Sequence, residues 1–356
     1  MAVTRVAILG AGGFVGNRAV ELMHVARRDV VPVAHRASAL ALASRFALEG
    51  RVANALDEKA LAKALSSCDA VVAAVAGPPA TIVGMIAPLV TAARNAGVRR
   101  IVYLSSQMVH GYAPAPETTE RSPFPRRRQS AYSRAKIAAE QKLRAMAPAA
   151  GVEVVILRPG IVYGPRSRWT GGVADELLAG DAFLLRGSAG LCNAIYVDNL
   201  VAAIDLAIDG ADAVGQAMFV NDAEALSWAE LVEPIADALK LPPEAIARPT
   251  LAEALASGPS FIESRVMPAA KQAFRKLPRR LAHSLREVRR AAQGPRAPAG
   301  PPPPQYSREM ALLQTCSVRL ANDQAERLIG YRPAITHPEA MRRSIAWLRF
   351  AGYPVE

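Results

Sequence analysis

The chain has 356 residues, 51% hydrophobic and 21% charged, a globular composition long enough for a large core in two domains or one elaborated domain. Its formal charge of +12 suggests nucleic acid until it is located. Between Lys271 and Arg296 stand nine Lys or Arg and the single acid Glu287, which leaves a surplus of only four for the rest of the chain, so no nucleic-acid partner is expected. Cys68, Cys192 and Cys316 lie far apart without a CxxC pair, and the five histidines lack metal-ligand spacing; a reducing, cytoplasmic setting with no disulfide framework and no metal is expected.

The first element is a strand, Val6-Ala7-Ile8-Leu9, and with strand-like residues from Val3 onward no secretory leader is expected. It runs into Gly10-Ala11-Gly12-Gly13-Phe14-Val15-Gly16 and then a helix patterned by Ala19, Val20, Leu22 and Met23. That order suits a dinucleotide-binding turn. Gly10 permits the tight turn, Gly13 lets the backbone approach a pyrophosphate, and Gly16 lets helix and strand pack closely. Residues 30–35 read as a second strand, after which Ser38 is expected to cap a helix carrying Leu40, Leu42 and Phe46. Val52 and Ala53 make a short third strand, and Asp57 starts the next helix. The uncharged run 70–93 is long enough to raise a membrane span, but Gly77-Pro78-Pro79 divides it into a buried strand (70–75) and a helix (82–96) closed by Gly97. The fifth strand, 100–104, ends on Ser105-Ser106; a long helix follows at 132–146 and a sixth strand at 152–157. Such alternation predicts an α/β fold, a doubly wound parallel Rossmann sheet over residues 1–165.

The second strand ends in His35-Arg36, where an NAD site normally has an acid for the ribose. Arg36 can pair with a 2′-phosphate, so NADP is favoured over NAD, and Asn54 after the third strand can meet the adenine edge. Tyr132 and Lys136 share a helix face at i and i+4. An ammonium there would favour the phenolate and lower a reference pKa of about 10, while Lys136 can also reach the nicotinamide ribose. Ser106 stands at a strand's carboxyl end, where its hydroxyl can donate to a carbonyl or alkoxide oxygen.

With these motifs on hand, the chain resembles the extended short-chain dehydrogenase/reductases of the NAD-dependent epimerase/dehydratase family. The resemblance rests on the glycine turn, Tyr103-Leu104-Ser105-Ser106, the Tyr132/Lys136 pair, Leu157-Arg158-Pro159-Gly160-Ile161-Val162-Tyr163-Gly164-Pro165, Tyr196-Val197-Asp198-Asn199, and Leu328-Ile329-Gly330-Tyr331-Arg332-Pro333 with Trp347 beyond. It implies Tyr132 as acid/base, Lys136 as its partner and Ser106 as the donor to substrate oxygen. Ser106 is preferred to Ser105 because it stands five residues before Gly111. The implied cofactor contacts are Gly10, Gly13, Phe14, Val15, Gly16, Arg36, Asn54, Ala76, Tyr132, Lys136, Pro159 and Ile161. A homodimer through the helices 82–96 and 132–146 is implied as well.

Two departures narrow the substrate. Sugar-nucleotide enzymes of this family usually carry asparagine where Ile161 stands and arginine where Cys192 stands, so two diphosphate anchors are missing unless Arg166, Arg168 or Arg186 substitutes. Asn193 and the pattern after it look more like the reductase and 3β-hydroxysteroid-dehydrogenase-like branches. The expected activity is therefore hydride transfer between a nicotinamide and a non-nucleotide secondary alcohol or ketone. The alternatives are a sugar-nucleotide epimerase or dehydratase with transient hydride transfer, and a non-catalytic NAD(P)-binding scaffold or redox sensor. After the sixth strand the chain returns to the sheet through 194–222, with strands at 194–197 and 217–220 around a helix at 200–208, and residues 166–193 and 223–356 form a smaller substrate lobe. Within it Leu277, Leu281, Leu285 and Val288 recur at helical spacing among Arg279, Arg280, Arg286, Arg289 and Arg290. That pattern reads as a helix packing its leucines on the lobe, with peripheral contact at an anionic membrane as the alternative. A Pro-rich loop follows at 295–304, and Arg126-Arg127-Arg128 either fringes the active-site mouth or is solvated.

Overall fold

The computed structural model describes residues 5–126, 129–187, 190–257 and 306–355. The chain runs β1 (Arg5–Leu9), α1 (Phe14–Val25), β2 (Asp29–Ala34), β3 (Arg51–Val52), α2 (Glu58–Ala64), β4 (Ala70–Ala73), α3 (Pro79–Gly84), α4 (Ile86–Ala96), β5 (Arg100–Leu104), α5 (Ala131–Met146) and β6 (Glu153–Pro159). There follow β7 (Ile161–Tyr163), α6 (Val173–Ala179), β8 (Leu191–Cys192), β9 (Ala194–Tyr196), α7 (Val197–Asp209), β10 (Ala217–Val220), β11 (Leu226–Ser227) and α8 (Trp228–Ala238). The later described helices are α9 (Leu251–Ala256), α10 (Arg308–Leu313), α11 (Asp323–Ile329) and α12 (His337–Phe350).

Seven parallel strands form the main sheet in the order β10-β6-β5-β4-β1-β2-β3. Side chains alternate across it with period two. Ala7, Leu9, Val71, Ala73, Ile101 and Tyr103 face the core under α2, α4 and α5. Val6, Ile8, Ala70, Val72, Val102 and Leu104 face the core under α1, α7 and α11. Because both faces are covered, β4 reads as an unbroken apolar run and β5 as one after its first residue, Arg100. A third core joins β7, β8, β9, α6, α8 and α12 through Tyr163, Leu177, Tyr196, Trp228, Leu231 and Leu348.

The strand order reverses between β1 and β4, and the glycine turn lies in that crevice. Gly10 has φ +95°, and a Cβ there would stand 2.8 Å from the carbonyl oxygen of Ala74 at the end of β4. A Cβ on Gly16 would lie 2.2 Å from the carbonyl oxygen of Gly10. Both clashes are with backbone, which cannot swing away. Gly16→Ala is therefore expected to destabilise the fold by about 1–3 kcal/mol, the usual scale of overpacking, read as a lower melting temperature.

Four sequence expectations change. Residues 37–46 form two short 3₁₀ turns, Ala37–Leu40 and Ser44–Phe46, and the first begins at Arg36 without a cap from Ser38. The helix expected over 82–96 breaks at Met85 into α3 and α4, because Pro88 has no N–H for the carbonyl of Gly84. The strand expected at 194–197 stays out of the main sheet: β9 pairs with β7 in a separate parallel ribbon. That ribbon closes so tightly that a Cβ on Gly160 would lie 2.0 Å from the carbonyl oxygen of Asn193. The fourth change concerns the acidity of the Tyr132 phenol and belongs to the active site. The uncharged run 70–93 does resolve into β4, a loop and the helices α3 and α4. Among the described residues no helix is long and apolar enough to cross a membrane. The amphipathic pattern 277–290, the Pro-rich stretch 295–304, Arg127 and Arg128 lie outside the described residues.

Candidate active site

The residues singled out from the sequence line the carboxyl edge of the sheet. Gly10 follows β1, Arg36 β2, Asn54 β3, Ala76 β4 and Ser106 β5, while Pro159 ends β6 and Ile161 opens β7. Phe14, Val15 and Gly16 form the first turn of α1, whose N-cap Gly13 offers no side-chain cap and whose first turn holds no acid. Such a turn leaves N–H groups and the positive end of the helix dipole for an anion, so these residues fit a dinucleotide's phosphates. Arg36 and Ala76 are exposed. Asn54 is exposed too, but its Oδ1 accepts the Leu56 N–H at 3.1 Å, leaving the amino group as what it can offer.

Around Ser106 the chain is stitched to α5. Ser106 caps the turn Gln107–His110, its Oγ accepting the Met108 N–H at 3.2 Å. The Ser106 side chain is the polar group that acts on the Tyr132 phenol, and Tyr132 as a whole is 38% exposed. Ser133 Oγ donates to the Met108 carbonyl. Lys136 is buried, its Nζ donating to the Leu104 carbonyl at 2.6 Å and lying 3.5 Å from the Tyr103 hydroxyl. It also sits 5.9 Å from the centre of the Tyr132 ring.

Here the fourth expectation changes. Burial raises the Tyr132 phenol above its ordinary 10, with the Ser106 hydrogen bond opposing, and Lys136 is not among the causes. Lys136 is itself pushed down to about 8 by burial, against the pull of Glu140. The desolvation that brings the two groups together outweighs the attraction expected between them.

The sequence reading missed the network beneath. Glu140, fully buried one turn after Lys136, takes Arg158 Nε at 3.0 Å and Nη2 at 2.7 Å, and accepts Ser105 Oγ as well. Arg158 also reaches the Glu120 carbonyl at 2.8 Å and His110 Nε2 at 3.1 Å. Burial first, then Arg158, lowers His110 to about 4, which leaves its ring neutral at pH 7. With Ser105 held by Glu140, Ser106 is the serine of the pair whose hydroxyl is left for the cleft. The signal was present: Arg158 is a cation inside an apolar strand, and Glu140 stands at i+4 from Lys136.

Ser106, Pro159, Gly160 and Ile161 meet in one cavity with Gln107, Asn193, Trp228, Cys316 and several apolar side chains, and no charged residue lines it. The candidate anchors for a diphosphate are elsewhere. Arg166 binds Asn17 of α1 at 2.6 Å, Arg168 stacks over Trp169, and Arg186 holds the Arg248 carbonyl. Cys192 is buried in the core with Tyr163 and Trp228.

Residues 6–221 of this chain match the NAD dependent epimerase/dehydratase family. The chain belongs to that family. A UDP-glucose 4-epimerase of Vibrio cholerae is 33% identical over 153 residues, 42% of this chain and 46% of the relative. A 3 beta-hydroxysteroid dehydrogenase/Delta 5-->4-isomerase of Mycobacterium tuberculosis is 33% identical over 165 residues, 44% of each chain. Each match thus spans less than half of the relative's length. The dTDP-glucose 4,6-dehydratase DesIV of Streptomyces venezuelae, solved with NAD bound, superimposes with a TM-score of 0.69 over 97% of both chains at 20% identity, which is a likeness of fold. The family is described as NAD dependent, and it is the one that the fold of this chain resembles. Its parallel sheet and glycine turn are the family's own.

Proposed function

We propose that this enzyme transfers a hydride between a nicotinamide and the carbinol carbon of a non-nucleotide secondary alcohol or ketone. The carrying observation is the uncharged cavity that opens from Ser106, the serine that acts on the Tyr132 phenol. A diphosphate in such a cavity would be an anion buried without a counter-charge, which is costly. In this reading Tyr132 gives its phenol proton to the substrate oxygen as the ketone is reduced, and takes it back in the reverse direction. Ser106 donates a second hydrogen bond to the same oxygen. Lys136, fixed on the Leu104 carbonyl, holds a positive charge behind Tyr132. Gly10, Gly13, Phe14, Val15 and Gly16 would hold the pyrophosphate, and Ala76, Pro159 and Ile161 would pack on the rest of the cofactor. The bound nicotinamide supplies or accepts the hydride. Residues 166–193 and 223–356 act as the substrate lobe, and the setting is cytoplasmic.

The test is stoichiometry. Reduction of a neutral ketone with equimolar consumption of reduced cofactor supports the reading; isomerisation of UDP-glucose without net redox would replace it with the epimerase reading, to which the Vibrio cholerae relative lends its name. Cofactor preference has its own test. Arg36 stands two residues beyond β2, whose carboxyl end carries no acid, and it is exposed to meet a 2′-phosphate. Arg36→Asp is expected to weaken NADP about tenfold or more while leaving NAD within about twofold, measured by calorimetry; equal losses for both cofactors would remove the preference.

A further inference from the structure

Two side chains in the cavity have hydrogen-bonding capacity that the described chain does not use. Gln107 is 7% exposed and Trp228 3% exposed. Gln107 Oε1, Gln107 Nε2 and Trp228 Nε1 are buried without a hydrogen-bond partner among the described residues. The other carboxamide on the lining is spent: Asn193 Nδ2 donates to the Val318 carbonyl at 2.8 Å and its Oδ1 accepts the Leu320 N–H at 2.9 Å. Buried polar atoms are almost always paired, so an unpaired set beside a cavity marks where a ligand completes the bonding.

Resting on the oxidoreductase reading above, we infer that Gln107 and Trp228 form a specificity subsite for a second, uncharged oxygen on the substrate. The indole N–H only donates, and the carboxamide both donates and accepts. A hydroxyl can satisfy all three, accepting from the indole and carboxamide N–H groups and donating to Gln107 Oε1. A carboxylate or phosphate cannot, because Gln107 Oε1 would face another acceptor and no cation lines the cavity. Gln107 directly follows Ser106, which puts this subsite beside the oxygen that reacts. The substrate class is therefore a neutral ketone or alcohol bearing a further hydroxyl. A simple monofunctional ketone would leave the buried groups unpaired, and sites of this kind reject the analogue that lacks the oxygen.

The experiment compares hydroxycyclohexanone with cyclohexanone, and hydroxytetralone with tetralone, by calorimetry on the NADP-saturated protein. At least one hydroxyketone is expected to bind about tenfold or more tightly than its deoxy partner. That margin should shrink to about twofold in Gln107→Leu and in Trp228→Phe, with NADP affinity unchanged in both as evidence that they fold. Equal affinities within both pairs, no binding of any of the four, or tighter binding of UDP-glucose than of every ketone would overturn the subsite. The two readings fail separately. A binding margin without consumption of reduced cofactor would sink the oxidoreductase reading and leave the subsite, whereas turnover without a margin would do the opposite.

Discussion

A Glu140→Gln variant is expected to lose about 3–5 kcal/mol of stability, the scale on which breaking a buried ion pair from one side is felt. Glu140 is the counter-charge for Arg158, which is itself buried, and its charge also supports the ammonium of Lys136. The amide offers one oxygen where the carboxylate offered two, and it turns N–H groups toward a guanidinium that only donates. Arg158 and Lys136 are then like charges left in a low-dielectric interior. Replacing both partners, as Glu140→Leu with Arg158→Met, removes the unpaired charge and is expected to recover most of the loss. Urea unfolding of the two variants decides it: a single variant as stable as the parent would mean that the pair is solvated rather than buried.

The fold was legible because its signals are local. The run Val6 to Leu9 into the glycine turn, an apolar strand expected at 70–75 and found at 70–73, and the boundaries of β5 and β10 all follow from period, glycine and proline chemistry. The errors came where tertiary contacts override them. Ser38 has the chemistry of a cap, but the 37–40 turn packs against Gly12, where a Cβ would meet Ala39 at 2.7 Å. β9 has the composition of a sheet strand, yet Gly160 carries β7 out of the main sheet and β9 follows β7. At the site, residue types at fixed spacing sufficed to single out Ser106, Tyr132 and Lys136. The sign of the Tyr132 shift could not be read the same way. Spacing gives the neighbour's charge, whereas the depth of burial belongs to the folded chain. For the same reason Gln107 and Trp228 were invisible: the absence of a partner distinguishes them, and they are separated by more than a hundred residues.

Tyr132→Phe is expected to lower kcat by about 10²–10⁴-fold, the usual contribution of a positioned general acid, with the dissociation constant for NAD or NADP unchanged. The pH profile then separates Tyr132 from Lys136. The phenol, raised by burial, stays protonated through the neutral range, so it can donate to a forming alkoxide at any pH where the enzyme is assayed. Lys136 is different, because burial brings it down to about 8. Below that value the ammonium stands behind Tyr132 and stabilises negative charge developing on the phenol; above it the charge is gone. Reductive kcat is therefore expected to fall as pH rises through about 8, and Lys136→Met should give a low, flat profile instead. Stability should move in the opposite sense. The folded value lies below the ordinary 10.5 of lysine, so between about 8 and 10.5 the unfolded chain binds more protons than the folded one, and this group's contribution to stability rises with pH across that window. Removing the buried ammonium in Lys136→Met should abolish that rise and leave the protein at least as stable at pH 7, since the methionine needs no counter-charge. A variant that loses both activity and stability at pH 7 would show that Lys136 holds β5 to α5 through the Leu104 carbonyl more than it serves the reaction.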